Sequence, residues 1–170
     1  MTDPRQHDPL DALGEAYERM FERAAEHFHR AEEKTAPVLR KLIDEAREQA
    51  VELKEISRED AEKVAEWLKR DLHHAAEVLS ETGRELEDWL GFEASLVKSN
   101  LVDLMLKAAD KTQLELLKFR QEISGEPVWR TGEITGPGTL RCRKCGEKLH
   151  FHHTGRIPPC PRCHGTEFMR

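Results

Sequence analysis

Cys142-Arg-Lys-Cys145 and Cys160-Pro-Arg-Cys163 are two cysteine pairs with two residues inside each pair and fourteen residues between the pairs. Two intervening residues let one tight turn aim both sulfurs of a pair at the same point, and backbone amides of the turn can donate to them. Two such knuckles then complete a tetrahedron around one ion. Gly146 and Gly165 supply the open backbone that these turns need. Cys142, Cys145, Cys160 and Cys163 are therefore the expected ligands of one structural zinc ion, and a zinc ribbon is the fold expected to grow around it. A shell of four thiolates leaves no coordination position for water, so hydrolysis at the metal is not expected.

All four cysteines fall in the last 29 residues. Met1 to Met20 lacks the apolar core of a signal peptide, and no stretch approaches the roughly 18 consecutive apolar residues that a membrane span needs. The expectation is a cytoplasmic chain with no membrane partner, and in a reducing compartment clustered cysteines favour metal over disulfides. Disulfide stapling is the weaker alternative. Cys160-Pro-Arg-Cys163-His164 also matches the haem-attachment pattern, although the upstream pair argues against it. A rubredoxin-like iron stays open, because ligand spacing separates iron from zinc poorly.

Between the knuckles, Lys148 to His152 alternates as a strand does, with Leu149 and Phe151 on one face and His150 and His152 on the other. Leu140 to Cys142 and Phe168 to Arg170 are the expected neighbouring strands. About 45 residues with few apolar side chains cannot build an adequate core alone, whereas a structural zinc site contributes roughly 10 to 16 kcal/mol to folding. Upstream, Gly125, Pro127, Gly132, Gly136, Pro137 and Gly138 lie within fourteen residues. That density halts a helix, so 125–138 is expected to be a turn-rich linker and 139–170 the ribbon.

The rest of the chain has a different texture. Between Gly14 and Gly83 there is no glycine, and Pro37 is the only proline from residue 10 to residue 126. After a disordered start at 1–8, residues 9–124 are expected to be helical. Apolar residues recur at spacings of three and four: Leu10, Leu13, Tyr17, Met20, Ala24, His27 and Ala31, then Leu39, Ile43, Ala46, Ala50 and Leu53, then Ala61, Ala65, Leu68, Leu72, Ala75 and Leu79. That spacing predicts a coiled-coil-like seam. Pro37 after Thr35 can open a second helix, Ser57 with Asp60 resembles a capping box opening a third, and Gly83 suits a C-terminal cap. Leu90, Ala94, Val97, Leu101, Leu104 and Ala108 continue the pattern, and four or five helices are expected. Charged residues make up 35% of the chain and aromatic ones 6%, which suits helices with a single apolar stripe better than a thick core. The fold class is thus mainly α: an elongated helical hairpin, bundle or coiled-coil-like body followed by a small β-rich ribbon. Folding back on itself and pairing with a second chain would both cover the stripe.

Several motifs together resemble a known family. Thr131-Gly-Glu-Ile-Thr-Gly-Pro-Gly-Thr-Leu-Arg-Cys142, Pro159-Cys-Pro-Arg-Cys163, Phe168-Met-Arg170 and, further upstream, Asp110-Lys-Thr-Gln-Leu-Glu115 look like the bacterial zinc-ribbon-containing proteins of the YbeL-like family. The resemblance is specific from about residue 110 onward. It implies a helical N-terminal region and a C-terminal ribbon, and it carries no established activity. Cys163-His164-Gly165 departs from the commoner Cys-Gly of the second knuckle.

Helices before a four-cysteine module also suggest a rubrerythrin-like di-iron protein, in which Glu-x-x-His pairs hold two irons. Glu26-x-x-His29 has that spacing and Asp71-x-x-His74 is an imperfect copy. Both lie off the apolar seam, so these residues are expected to be solvated. His27, on the seam, is expected to pack; His73 is expected to be solvated, and His150, His152, His153 and His164 to lie on the ribbon surface. Trp67, Trp89 and Trp129 are expected to cover helix contacts or to anchor the ribbon on the body.

Residues 1–125 hold 19 Lys and Arg against 29 Asp and Glu, a net −10, while 126–170 hold 8 against 4, a net +4. No catalytic constellation stands out. The favoured expectation is a non-catalytic zinc-binding adaptor that meets a protein partner, or a second copy, through its helices. The alternative is nucleic-acid binding by the ribbon through Arg141, Arg143, Lys144, Lys148, Arg156 and Arg162, with Arg170 close in sequence.

Overall fold

The computed structural model describes residues 9–32, 36–82 and 127–170. Three helices appear in it: α1 (Pro9–Arg30), α2 (Ala36–Glu52) and α3 (Arg58–Thr82). Pro37 sits in the first turn of α2, where its missing N–H costs nothing. Ser57 caps α3, its Oγ accepting from the Asp60 amide at 3.1 Å. At the end of α2 the Glu55 amide donates to the Ala50 carbonyl and the Lys54 amide to that of Val51. This is a Schellman arrangement with Lys54 in the left-handed position at φ 54°. Glu55 then receives both Nη atoms of Arg23, at 2.6 and 2.9 Å, which ties α1 to the turn between α2 and α3.

The three helices pack on one another and share one core. Tyr17, Met20, Phe21, Ala24 and Phe28 come from α1, Leu39, Ile43, Ala46 and Ala50 from α2, and Ala61, Val64, Ala65, Leu68 and Leu72 from α3. Within the described residues the apolar stripes are therefore covered by the chain's own helices. The core is also wider than the expected seam. His27 is exposed and Phe28 is buried in its stead. Phe28 lies eleven residues beyond Tyr17, just over three turns of 3.6, whereas His27 falls roughly 80° off that line. Leu53 is 62% exposed because the helix has already ended at Glu52. The expected Gly83 cap, Trp89 and the pattern from Leu90 to Ala108 lie outside the described residues.

Residues 127–170 form six short strands: β1 (Trp129–Arg130), β2 (Ile134–Thr135), β3 (Gly138–Cys142), β4 (Lys148–Phe151), β5 (Gly155–Arg156) and β6 (Glu167–Met169). Four of them make an antiparallel sheet in the order β1-β6-β3-β4, and β2 pairs with β5. The stretch expected to be a linker thus supplies β1 and β2. Gly132, at φ 93°, lies in the turn between β1 and β2, and Gly136 and Pro137 lie between β2 and β3. Trp129, Leu140, Cys142, Ile157, Cys160 and Phe168 form the ribbon's own core, while Ile134 of β2 is buried in the helical core. One strand of the ribbon region is thereby seated in the helical body.

Candidate metal centre

The four thiols converge. All four sulfurs lie within 4.8 Å of one another, with Cys142 to Cys163 and Cys145 to Cys160 each at 3.6 Å. A tetrahedron with metal–sulfur bonds of roughly 2.3 Å has edges of roughly 3.8 Å, so the observed spacing fits a metal; it is far from the roughly 2.0 Å of a disulfide. Cys142 and Cys160 are buried, Cys145 and Cys163 partly so.

The two knuckles repeat one backbone design. In the first, the Gly146 amide donates to the Cys142 carbonyl at 2.9 Å with Gly146 at φ 77°. In the second, the His164 amide donates to the Cys160 carbonyl at 2.9 Å with His164 at φ 56°. His164 therefore occupies the left-handed position that glycine holds in the first knuckle, and this is where Cys-His-Gly replaces Cys-Gly. A non-glycine residue there carries a cost of about 1 kcal/mol.

Electrostatics agree with a cation at the centre. Amides of Cys145 and, more weakly, Lys144 lower the Cys142 thiol to about 7 against the opposing effect of burial. At Cys145 the Glu147 amide pulls down, but burial and the three neighbouring thiols push the value up to about 12. Four thiols this close cannot all ionise unless a cation shares their charge. The donor set, the spacing and the knuckle amides fit one metal ion, held by Cys142, Cys145, Cys160 and Cys163.

Residues 26–170 match the family described as "Zinc-ribbon containing domain". The chain belongs to this family. Its relatives include the proteins named "Uncharacterized protein YbeL" of Escherichia coli strains K12 and O157:H7. Each is 29% identical over 129 residues, covering 76% of this chain and 79% of the relative. The YbeL-like resemblance of the motifs is thereby confirmed. No solved structure matches the chain.

The other residues singled out by sequence sort clearly. Glu26 and His29 are exposed, with Glu26 bonded to Arg30 at 3.0 Å, as a solvated face requires. Asp71 and His73 contradict that expectation, being 1% and 9% exposed. Asp71, Leu72 and His73 are consecutive and all buried, so α3 is covered around much of its circumference at this level. His150, His152, His153 and His164 lie at the surface. Among the described residues the four cysteines form the only cluster suited to a metal.

Asp71 is the buried junction residue that the apolar seam did not single out. Its carboxylate accepts from Tyr17 Oη and Trp129 Nε1, both at 2.7 Å, from the Gly136 amide at 2.9 Å and from Thr135 Oγ1 at 3.2 Å. Arg70 Nε adds a bond at 3.1 Å. Arg170 completes the junction by donating to Thr135 Oγ1 and to the carbonyls of Gly136 and Pro137 at 3.0 to 3.1 Å. Both guanidinium groups lie over the Trp129 ring, at 4.9 Å for Arg70 and 5.6 Å for Arg170. Arg70 also pairs with Glu133 and bonds the Ile134 carbonyl. Burial alone would raise the Asp71 carboxyl, but Arg70, Arg170 and the donated hydrogen bonds outweigh it and hold it below the usual range. The one available signal was spacing: Asp71 follows Val64 and Leu68 by seven and three residues, on the packed side of α3.

Proposed function

We propose that this chain is a non-catalytic, cytoplasmic zinc-binding adaptor in which a structural zinc ribbon and a helical body together present one protein-interaction surface. The closed four-cysteine shell supports zinc as a folding element with no position for substrate. The buried Asp71 junction supports the composite surface, because it fixes ribbon and helices to each other through partners on α1, α3, β1 and β2. The test is elemental analysis of the purified chain together with affinity capture by full-length protein and by a Cys160→Ser, Cys163→Ser variant, each with and without nuclease. One zinc per chain, and protein partners kept under nuclease but lost by the variant, support the reading. A stoichiometric metal other than zinc overturns the zinc assignment, and capture that ignores the variant overturns the role of the ribbon.

A second reading, nucleic-acid binding, is favoured by one observation. Arg141 and Lys148 face each other across the β3–β4 pair, and Arg143 and Lys144 lie in the knuckle between them, all four exposed. Among the described residues none of these four is ion-paired, whereas Arg162 meets Glu147 at 3.8 Å and Arg156 donates to the Gly132 carbonyl. Like charges placed opposite each other on a sheet cost stability, which a phosphate backbone would offset. Salt-sensitive retention of labelled RNA or DNA by full-length protein, lost in an Arg141→Ala, Lys148→Ala variant, would favour this reading. Absence of binding at micromolar protein and low salt would dismiss it.

A further inference from the structure

The metal centre and the helix junction share side chains. Cys142 and Cys160 belong to the same buried cluster as Trp129 and Phe168. Phe168 stands opposite Cys142 in the β3–β6 pair and opposite Trp129 in the β1–β6 pair, so it lies in register between a metal ligand and the residue that bonds Asp71. Two residues beyond Phe168, Arg170 reaches the same junction, and only six residues separate it from Cys163. Gly138, at the start of the strand that ends in Cys142, makes room for it: a Cβ there would collide with the Arg170 guanidinium.

Trp129, which bonds Asp71 directly, and Arg170, which bonds Thr135 and Gly136 beside it, are therefore positioned by a core that includes two of the four sulfurs, while Ile134 of β2 enters the helical core beside them. The ribbon core holds six buried residues, too few to keep the strands in register without the ion. The body in turn contributes to the ribbon: Tyr17, Arg70 and Asp71 fix Trp129 and the segment from Glu133 to Gly136.

We propose that metal occupancy and docking of the helical body form one coupled equilibrium, a metal-responsive latch closed on Asp71. The loaded ribbon holds Trp129 and Arg170 in place over α3; loss of the ion releases the helices and uncovers Tyr17, Asp71 and the part of the helical core that Ile134 covers. The proposal rests on the reading that the four cysteines hold a metal. Coupling of this kind is reciprocal, so weakening the junction must weaken metal binding although no ligand has changed.

The test is competition between full-length protein and a chromophoric chelator for zinc, with wild type, Asp71→Asn, Arg170→Ala and, as a surface control on α3, Glu59→Gln. Tyr17→Phe removes one hydrogen bond only and serves if the stronger variants do not fold. Zinc affinity is expected to fall roughly tenfold or more in Asp71→Asn and Arg170→Ala, by less in Tyr17→Phe, and not at all in Glu59→Gln. Wild-type affinity in all the folded junction variants overturns the latch while leaving the metal site intact. A wild-type chain that takes up no metal overturns both.

Discussion

Trp129 Nε1 donates to Asp71 Oδ1 over 2.7 Å, joining two buried residues 58 positions apart in sequence and thereby the ribbon to the third helix. Asp71 has several donors, so losing one and losing the charge have different consequences. Trp129→Phe removes one hydrogen bond and part of a ring, with an expected cost of about 1 to 3 kcal/mol. Asp71→Asn removes the buried charge that Arg70 pairs with and that Arg170 faces, leaving Arg70 only Glu133, and is expected to cost about 3 to 5 kcal/mol, the range for breaking a buried ion pair. Urea unfolding of both variants, followed by helix signal, checks the order; equal midpoints would mean that the charge contributes nothing beyond the hydrogen bond.

His164 and Lys54 both hold left-handed backbone without being glycine. Each is exposed, so replacing the side chain removes little packing. His164→Gly and Lys54→Gly are each expected to stabilise by about 1 kcal/mol, the conformational relief exceeding the added freedom of the unfolded chain. The first should appear in metal-loaded thermal melts of the ribbon, the second in the helix signal. A lower melting temperature in either variant would show that the side chain makes a contact worth more than the strain.

The parts of this molecule that sequence revealed are those governed by neighbours along the chain. Knuckle spacing placed the four sulfurs, Pro37 marked the start of α2, and Ser57 marked that of α3. The expectation that the tryptophans cover helix contacts or anchor the ribbon followed from their large amphipathic side chains, and Trp129 takes the second of these roles. What failed depended on distance. A strict alternation of threes and fours put His27 in the core in place of Phe28, because a straight helix drifts away from a 3.5-residue repeat. Asp71 read as solvated because it lies off the seam of Leu68, Leu72 and Ala75; its burial depends on Tyr17 from 54 residues upstream and on Trp129, Thr135 and Gly136 from 58 to 65 residues downstream.

Metal removal is expected to act first on the ribbon. Stripping the ion with excess chelator should abolish the strand signal of residues 127–170 and shift Trp129 emission to the red, since the small core around Trp129 includes Cys142 and Cys160. A Trp67→Phe, Trp89→Phe background isolates that emission. Restoring one equivalent of zinc should restore it. Unchanged emission after verified metal loss would mean that the apolar core holds the ribbon alone.

His74 gives the junction a pH dependence. Its ring meets Trp129 edge-on at 5.2 Å, and burial, reinforced by Arg170, pushes its pKa from 6.5 down to about 4. Because the folded value lies below the unfolded one, the unfolded chain binds the additional proton between them. The contribution of neutral His74 is therefore whole above about pH 6.5 and is lost as pH falls towards 4. At about 1.4 kcal/mol per unit the loss reaches at most about 3 kcal/mol. Asp71, held low by its guanidinium partners, stays ionised across that window and begins to lose its contribution only below the ordinary carboxylate range. Thiol protonation also weakens the metal site in acid, so the informative quantity is the difference between wild type and His74→Phe. Urea midpoints of the two should fall apart progressively between pH 6.5 and 4, with wild type the more acid-sensitive; parallel profiles would show that His74 is not held neutral by its surroundings.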